Sequence, residues 1–153
     1  MLETVLQFDQ LLFEIINQQL HYPFLDTILP YWREKTTWIP LYLLILGWAF
    51  WQYQWRAALL IIVMLCATVG VADTVSSKII KKQVERPRPC NNVHLKSDVL
   101  LLVDCGSGYS FTSSHATNHF SVAVFLILLW GRRLRWLKFV ALFWASVIAF
   151  AQV

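Results

Sequence analysis

Charged residues are scarce in this chain. They make up 14% of its 153 residues, whereas hydrophobic residues make up 58%. An average soluble domain has about 25% charged and about 45–50% apolar residues. The net charge is only +4, and the basic residues cluster in loops, which excludes the basic face of a soluble nucleic-acid-binding fold. The composition therefore favours one domain embedded in a membrane.

Cysteine is also scarce, and the first residues lack basic side chains. Three cysteines are too few for a disulfide scaffold. Cys66 lies in an apolar run, where packing is its expected role. Cys90 and Cys105 flank one polar loop, and both a disulfide and two free thiols fit the sequence there. The stretch MLETVLQFDQ has acids where a secretory signal has Lys or Arg, so insertion into a membrane depends on internal apolar segments.

The apolar residues follow a helical pattern throughout. Residues 2–20 are apolar at helical spacing but interrupted by acids, which predicts an amphipathic helix lying on the membrane surface. Prolines between His21 and Pro30 predict a break, followed by an interfacial anchor at Trp32, Arg33 and Lys35. Four predicted spans follow, at 38–53, 57–72, 115–130 and 139–153. The predicted fold is all-α: a polytopic transmembrane helix bundle with an N-terminal amphipathic interfacial helix.

The fourth apolar run is shorter than a membrane span needs to be. A span takes about 20 residues, and no polar anchor follows Val153. The sequence thus predicts that 1–153 is one membrane-embedded domain cut inside its fourth span. Basic residues are divided almost evenly between the long loop at 78–113 and the short loops. The acid-free turn at 131–138 is the better cytoplasmic marker, which places the long loop outside.

A basic cluster, KKQVERPRPC at 81–90, opens the long loop. Lys81 and Arg88 are seven residues apart, almost two helical turns. Pro87 and Pro89 favour extended backbone at the residues that precede them, Arg86 and Arg88. The helix is therefore expected to end near Val84, and Arg88 is expected to lie in a stiff segment. Lysine and arginine there suit a phosphate group. The alternative is a basic stop-transfer cluster that meets lipid headgroups.

A second cluster, YSFTSSHATNHF at 109–120, precedes the third span. Ser113 or Ser114 is a natural N-cap, and a helix start favours an anion. His115 falls in the first turn, where it could give a proton to a leaving oxygen. The alternatives are a structural capping role and a metal pair with His119, for which Asp104 or Asp73 would be the third ligand.

Two further considerations favour phosphate chemistry over a metal site. Asp73 is expected to pair with Lys81 or Lys82 rather than with a metal. Both clusters flank one loop and therefore one membrane face, and an anion-binding group of cations beside a proton donor is typical of phosphoryl transfer.

The residues that carry these clusters also match a known pattern. Lys81-x6-Arg88-Pro89 and Thr112-Ser113-Ser114-His115 resemble the first two motifs, K-x6-R-P and P-S-G-H, of the membrane-bound type-2 phosphatidic acid phosphatase superfamily, which shares a metal-free site with vanadium haloperoxidases. Pro and Gly of the second motif are replaced, and the serine at the Gly position adds bulk near the phosphate. Ala151-Gln152 corresponds to the Ser-Arg pair of the third motif, S-R-x5-H-x3-D, and makes Gln152 a further candidate. The His and Asp of that motif are expected beyond Val153.

The resemblance implies a site and a reaction. The implied phosphate-binding groups are Lys81, Arg88, the Ser113 hydroxyl and the Ser114 N–H. His115 is the implied general acid, and the histidine of the third motif forms a phosphohistidine without any metal or cofactor. The implied substrates are phosphatidate, phosphatidylglycerophosphate or undecaprenyl diphosphate, cleaved on the outer face of the cytoplasmic membrane. The competing hypotheses are a non-catalytic membrane protein that binds anionic lipid and an inactive fragment of such a phosphatase. A small transporter is disfavoured because few polar residues lie within the spans.

Overall fold

The computed structural model of the protein describes residues 2–20, 22–92 and 99–153. These residues form helices and turns without a strand, which confirms the predicted all-α class. The helices are α1 (Leu2–Glu14), α2 (Pro23–Arg33), α3 (Ile39–Gln52), α4 (Trp55–Thr74), α5 (Lys81–Val84), α6 (Ser114–Trp130) and α7 (Leu137–Phe150). His21, at the predicted break, and residues 93–98 of the long loop lie outside the described residues.

The predicted amphipathic helix is present as α1, which continues into a π-helical stretch, Ile15–Gln19. Two polar contacts hold it against the long loop. Asp9 forms an ion pair with both terminal nitrogens of Arg86. The side-chain amide of Asn17 donates to the carbonyl of Leu100 at 3.1 Å and accepts from its N–H at 2.9 Å. The segment at 2–20 is thus fixed beside the segment that carries the basic cluster.

The predicted break at 21–30 is wrong for most of its length. Pro23 occupies the first turn of α2, where its missing N–H costs little. Pro30 lies inside the same helix, where a proline forgoes one backbone hydrogen bond. Tertiary contacts override this local cost, because Trp32 at the end of α2 packs edge-on against Trp38, with ring centroids 5.2 Å apart.

The core lies between α6 and α7, which run antiparallel and are joined by a short turn. Its buried residues alternate small and large side chains: Ala49, Ala58, Val122, Ala123, Leu126, Trp130, Ala141, Trp144, Ala145 and Ile148. Small residues allow helix backbones to approach closely, as is usual in membrane bundles. At the far end of α6, the indole of Trp130 donates to the hydroxyl of Tyr53 at 3.0 Å. That bond ties α3 to the end of α6.

The helices match the four predicted spans in position but not all in length. Within the described residues, one stretch, Trp55–Asn91, contains a window long and apolar enough to cross a membrane, and only 6% of that window is buried inside the protein. Such exposure is unlike the core helix of a soluble domain. The apolar helices α6 and α7 have 17 and 14 residues, and α3 has 14, fewer than the about 20 that a span needs. One membrane-length helix is therefore established, and a polytopic bundle stays a prediction.

Candidate functional site

The amino end of α6 exposes a proton donor beside free backbone N–H groups. Of the two N-cap candidates in the sequence, Ser113 and Ser114, the structure has Ser113, whose Oγ accepts a hydrogen bond from the N–H of Ala116 at 3.4 Å. A hydroxyl that accepts one bond keeps its own O–H for another acceptor. His115 is the second residue of the helix, and its side chain is exposed. An anion at this helix start can therefore meet the Ser113 hydroxyl, unpaired amides and an imidazole.

Hydroxyl groups connect the start of α6 to the end of the α4 segment. The Oγ atoms of Ser77 and Ser114 are 2.7 Å apart, and Nζ of Lys81 donates to Oγ of Ser114 at 3.4 Å. Lys81 is thereby brought to the helix start. Ser114 occupies the position at which the family motif has glycine. Its side chain points towards Ser77 and Lys81, to which it is hydrogen-bonded.

Arg88 reaches the same region from the loop. The chain turns after α5 at Glu85, whose φ is 48°, and Arg88 is extended, with φ −70° and ψ 147°. The predicted helix end at Val84 is thus confirmed. The Arg88 guanidinium lies flat against Gly106: a Cβ there would sit 3.0 Å from Nη1 and 3.1 Å from Cζ. Nε of Arg88 is buried without a partner in the described part of the chain, so the group is held in place with bonding capacity to spare.

A disulfide fixes this arrangement. The sequence does not decide whether Cys90 and Cys105 pair. In the structure they form a disulfide, with their Cα atoms 6.2 Å apart. Cys90 comes two residues after Arg88, and Cys105 directly precedes Gly106. The bond therefore holds the glycine against the guanidinium from both sides of the loop.

The cations surround a common space. The charge of Arg88 acts on that of Lys81. Arg33, at the end of α2, interacts electrostatically with both Arg88 and His115. Lys81 thus lies at the start of α6, the helix that carries His115, and Arg88 is close enough for its charge to act on Lys81.

A family model and two known proteins match the sequence of this chain. The family model described as the PAP2 superfamily matches residues 57–153, which include both motifs. The chain belongs to the PAP2 superfamily. It is 32% identical to a lipid A 4'-phosphatase of Bacteroides thetaiotaomicron over 136 residues, covering 88% of this chain and 60% of that protein.

A second relative has the same name. The chain is 29% identical to a lipid A 4'-phosphatase of Porphyromonas gingivalis over 125 residues, which cover 81% of this chain and 52% of that protein. The PAP2 chain thus spans about half to three fifths of the length of these relatives. No solved structure matches it.

Asp73 has a different partner in this PAP2 chain from the one predicted. It accepts hydrogen bonds from the amide of Asn118 at 3.1 Å and from Oγ of Ser77 at 3.4 Å. Among the described residues it forms no ion pair with Lys81 or Lys82, although its charge acts on Lys81. The carboxylate faces α6 because it lies one turn before Ser77, which itself bonds to the start of that helix.

His119 is part of the core. It is 5% exposed, its Nδ1 contacts the carbonyl oxygen of His115 at 2.7 Å, and its ring packs edge-on against Trp144. The side chain therefore orients the helix turn below His115. Within the described ranges, no three His, Cys, Asp or Glu side chains lie together as a metal site.

Gln152 follows α7, in the turn after that helix. Because α7 runs back along α6, this turn returns towards the level at which α6 begins. The Nε2 atom of Gln152 is buried, and in the described part of the chain it has no hydrogen-bond partner. Among those residues no hydrogen bond joins its side chain to Lys81 or Arg88, so Gln152 stays a candidate.

Sequence reasoning missed the groups that hold the loop in place. The hydroxyl of Thr112 lies 2.7 Å from that of Ser76, which is 2% exposed. The N–H of Ser110 donates to the carbonyl of Arg86 at 2.8 Å. The sequence did hold one signal for Ser77, which contacts Ser114 as Lys81 does. Ser77 precedes Lys81 by four residues, so both lie on one helix face. Gly106 had no comparable signal, because its neighbour is distant in sequence.

Replacing Gly106 with alanine is expected to raise the KM for a phosphorylated lipid about tenfold, because one charged hydrogen bond contributes about 1.5 kcal/mol or more. The new methyl group must push the Arg88 guanidinium aside. The guanidinium is the end of a flexible side chain, so thermal stability should change little. Gly70→Ala is the matched control, since nothing lies within 4 Å of a Cβ there. A wild-type KM in Gly106→Ala would contradict the placement of Arg88.

Proposed function

We propose that this PAP2 protein is an integral-membrane lipid phosphatase. The observation that supports the proposal most is the hydrogen bond from Lys81 to Ser114 at the capped start of α6, beside the exposed imidazole of His115, with the charge of Arg88 acting on Lys81. Phosphoryl transfer needs the charge on three equatorial oxygens neutralised and the leaving oxygen protonated. These residues supply both requirements at one place.

In the proposed mechanism, Lys81, Arg88, the Ser113 hydroxyl and the Ser114 N–H bind the phosphate oxygens. The nucleophile is the histidine of the third family motif, which is not among these 153 residues. Its ring nitrogen bonds to phosphorus as the bond from phosphorus to the lipid oxygen breaks, and His115 gives that oxygen a proton. Water, deprotonated by His115, then displaces the histidine and releases inorganic phosphate.

Lipid A is the substrate class that we propose first, because both relatives are named lipid A 4'-phosphatase. The hydrolysed bond is then a phosphomonoester on a sugar of an acylated glycolipid. Phosphatidate, phosphatidylglycerophosphate and undecaprenyl diphosphate present the same terminal phosphoryl group, and they are the competing substrates for the same site.

A substrate panel tests this proposal. The full-length protein, purified in detergent, is given each of the four lipids in the presence of EDTA, and released phosphate is measured. We expect release from lipid A to be fastest and insensitive to the chelator. Release that needs added zinc would overturn the metal-independent mechanism. Binding of all four lipids without any release would support the non-catalytic alternative instead.

We further propose that the protein lies in the inner membrane as a multi-pass protein, with its site on the periplasmic side. The disulfide between Cys90 and Cys105 supports this orientation, since such bonds persist in oxidising compartments. The basic turn that follows α6 supports a cytoplasmic location for the opposite end; its cations are Arg132, Arg133, Arg135 and Lys138.

Thiol labelling in intact spheroplasts is expected to report this orientation. In a Cys90→Ser variant, Cys105 is left without its disulfide partner, and we expect a membrane-impermeant maleimide to label it without lysis. Both this variant and the otherwise wild-type protein carry Cys66→Ser, which removes the free thiol, and the latter should require an impermeant reductant first, because Cys90 and Cys105 are joined. Labelling of Cys105 that needs lysed spheroplasts would place the loop in the cytoplasm.

A further inference from the structure

A chain of aromatic contacts holds the end of α2 against the helices that form the site. The indole N–H of Trp38 donates to the carbonyl of Trp32 at 2.9 Å, and the two rings pack edge-on. Trp38 also packs edge-on against Trp144 of α7, at 5.3 Å between centroids. Trp144 in turn contacts His119 of α6 at 5.1 Å. The end of α2 is thus connected through Trp38 and Trp144 to the second turn of α6.

The residue after Trp32 is Arg33, and it is half-buried. Burial lowers the pKa of its guanidinium, and the positive charge of Arg88 lowers it further, although an arginine stays charged throughout the working range. Its charge also acts on His115, as does that of the exposed Lys35. In the described part of the chain Arg33 forms no ion pair. The neighbouring acid, Glu34, is exposed and offsets the charge only in part.

Two like charges held in one partly buried place repel each other unless an anion lies between them. Nothing in the local structure forces Arg33 towards Arg88, since it ends a helix and could extend into solvent. An anion with several oxygens removes the repulsion and gives both planar guanidinium groups partners. The reacting phosphoryl group is such an anion, and its three equatorial oxygens exceed what Lys81 and Arg88 alone can neutralise.

We propose that Arg33 is a further substrate-binding residue, whose guanidinium binds the phosphate group of the substrate opposite Arg88. The inference rests on the proposed function. It assigns α2, which lies outside the matched family region of 57–153, to the site itself. It also replaces the sequence interpretation of Arg33 as an interfacial anchor for lipid headgroups.

The test compares Arg33→Gln with Lys35→Gln in the full-length protein. Lys35 lies two residues away, is exposed, and loses the same charge when replaced. We expect Arg33→Gln to raise the KM for lipid A and to weaken inhibition by orthovanadate, each by about tenfold or more, the effect of one charged hydrogen bond. Lys35→Gln should leave both quantities near their wild-type values. Equal effects in the two variants would indicate general electrostatics and overturn the proposal.

Binding to vesicles separates the substrate phosphate from lipid headgroups. If Arg33→Gln weakens binding to phosphatidylglycerol vesicles but leaves orthovanadate inhibition unchanged, Arg33 is a headgroup anchor and the proposal is wrong. If Arg33→Gln fails to fold, the Arg33→Lys variant tests the proposal instead. It keeps the charge but not the planar fork, so inhibition by orthovanadate should weaken several-fold, and an unchanged value overturns the proposal.

The proposed function can fail independently of this inference. If the wild type releases no phosphate from any lipid of the panel, the lipid phosphatase proposal fails. Thermal stabilisation by orthovanadate then still reports on Arg33. Stabilisation of the wild type that is lost in Arg33→Gln supports the assignment, and equal melting temperatures with and without the anion in both proteins overturn it.

Discussion

Replacing His115 with alanine in the full-length protein is expected to slow phosphate release from lipid A by about 10²–10⁴-fold, the usual contribution of a positioned general acid. The imidazole is exposed at the first turn of α6, and no other titratable side chain of that turn can replace it. KM should change little, since the proton is needed only as the bond to the lipid oxygen breaks. Steady-state kinetics of phosphate release measure both quantities.

A change of leaving group isolates the role of the proton. A nitrophenolate leaves without protonation, so the loss caused by His115→Ala should be much smaller with p-nitrophenyl phosphate than with lipid A. His119→Asn is the matched control: it keeps a nitrogen that can contact the carbonyl of His115 and should mainly lower stability, because His119 is buried against Trp144. Equal losses from His115→Ala with both substrates would contradict the assignment of the general acid.

Arg88→Ala is expected to lower kcat/KM by about 10²–10⁴-fold, because a guanidinium that binds two phosphate oxygens contributes two charged hydrogen bonds of about 1.5–3 kcal/mol each. The pre-formed position of Arg88 against Gly106 keeps the ordering cost of these bonds low. Arg88→Lys should recover only part of the activity, since an ammonium group lacks the planar fork. The same kinetic measurements apply.

Arg86 provides the control for this prediction. It lies two residues away and is already paired with Asp9. Its backbone carbonyl, which accepts from Ser110, is unaffected by a side-chain change. Arg86→Ala should therefore lower kcat/KM by less than about fivefold, as expected for a partly exposed ion pair worth about 0–1 kcal/mol. If Arg86→Ala is as damaging as Arg88→Ala, the two guanidinium groups have been assigned wrongly.

Local signals predicted the helix ends that frame the site. Prolines at 87 and 89 predicted the end of α5 near Val84, and Ser113 predicted the start of α6, because capping and proline effects act within a few residues. The continuation of α2 through Pro30 was not predictable in this way. It depends on the packing of Trp32 against Trp38 and of Trp38 against Trp144 of α7, and the second of these contacts joins residues more than a hundred positions apart.

The spacing of motifs identified Lys81, Arg88 and His115 as candidates, and the structure places all three at one end of the bundle. The supporting groups needed three dimensions. Gly106 meets Arg88 only once the loop is closed by its disulfide, and the redox state of two cysteines depends on the compartment. The proposed role of Arg33 depends on aromatic contacts that no local pattern encodes. Long-range packing thus sets the positions of these groups, and short sequence patterns do not record it.

The location of a bound phosphate analogue tests the central claim most directly. We predict that a structure of the full-length protein with orthovanadate places the oxygens of the anion within about 3.2 Å of Lys81 Nζ, a terminal nitrogen of Arg88 and Ser113 Oγ, with the His115 imidazole facing the position of the leaving oxygen. An anion bound away from these residues, or an Arg88 guanidinium turned from it, would contradict the account.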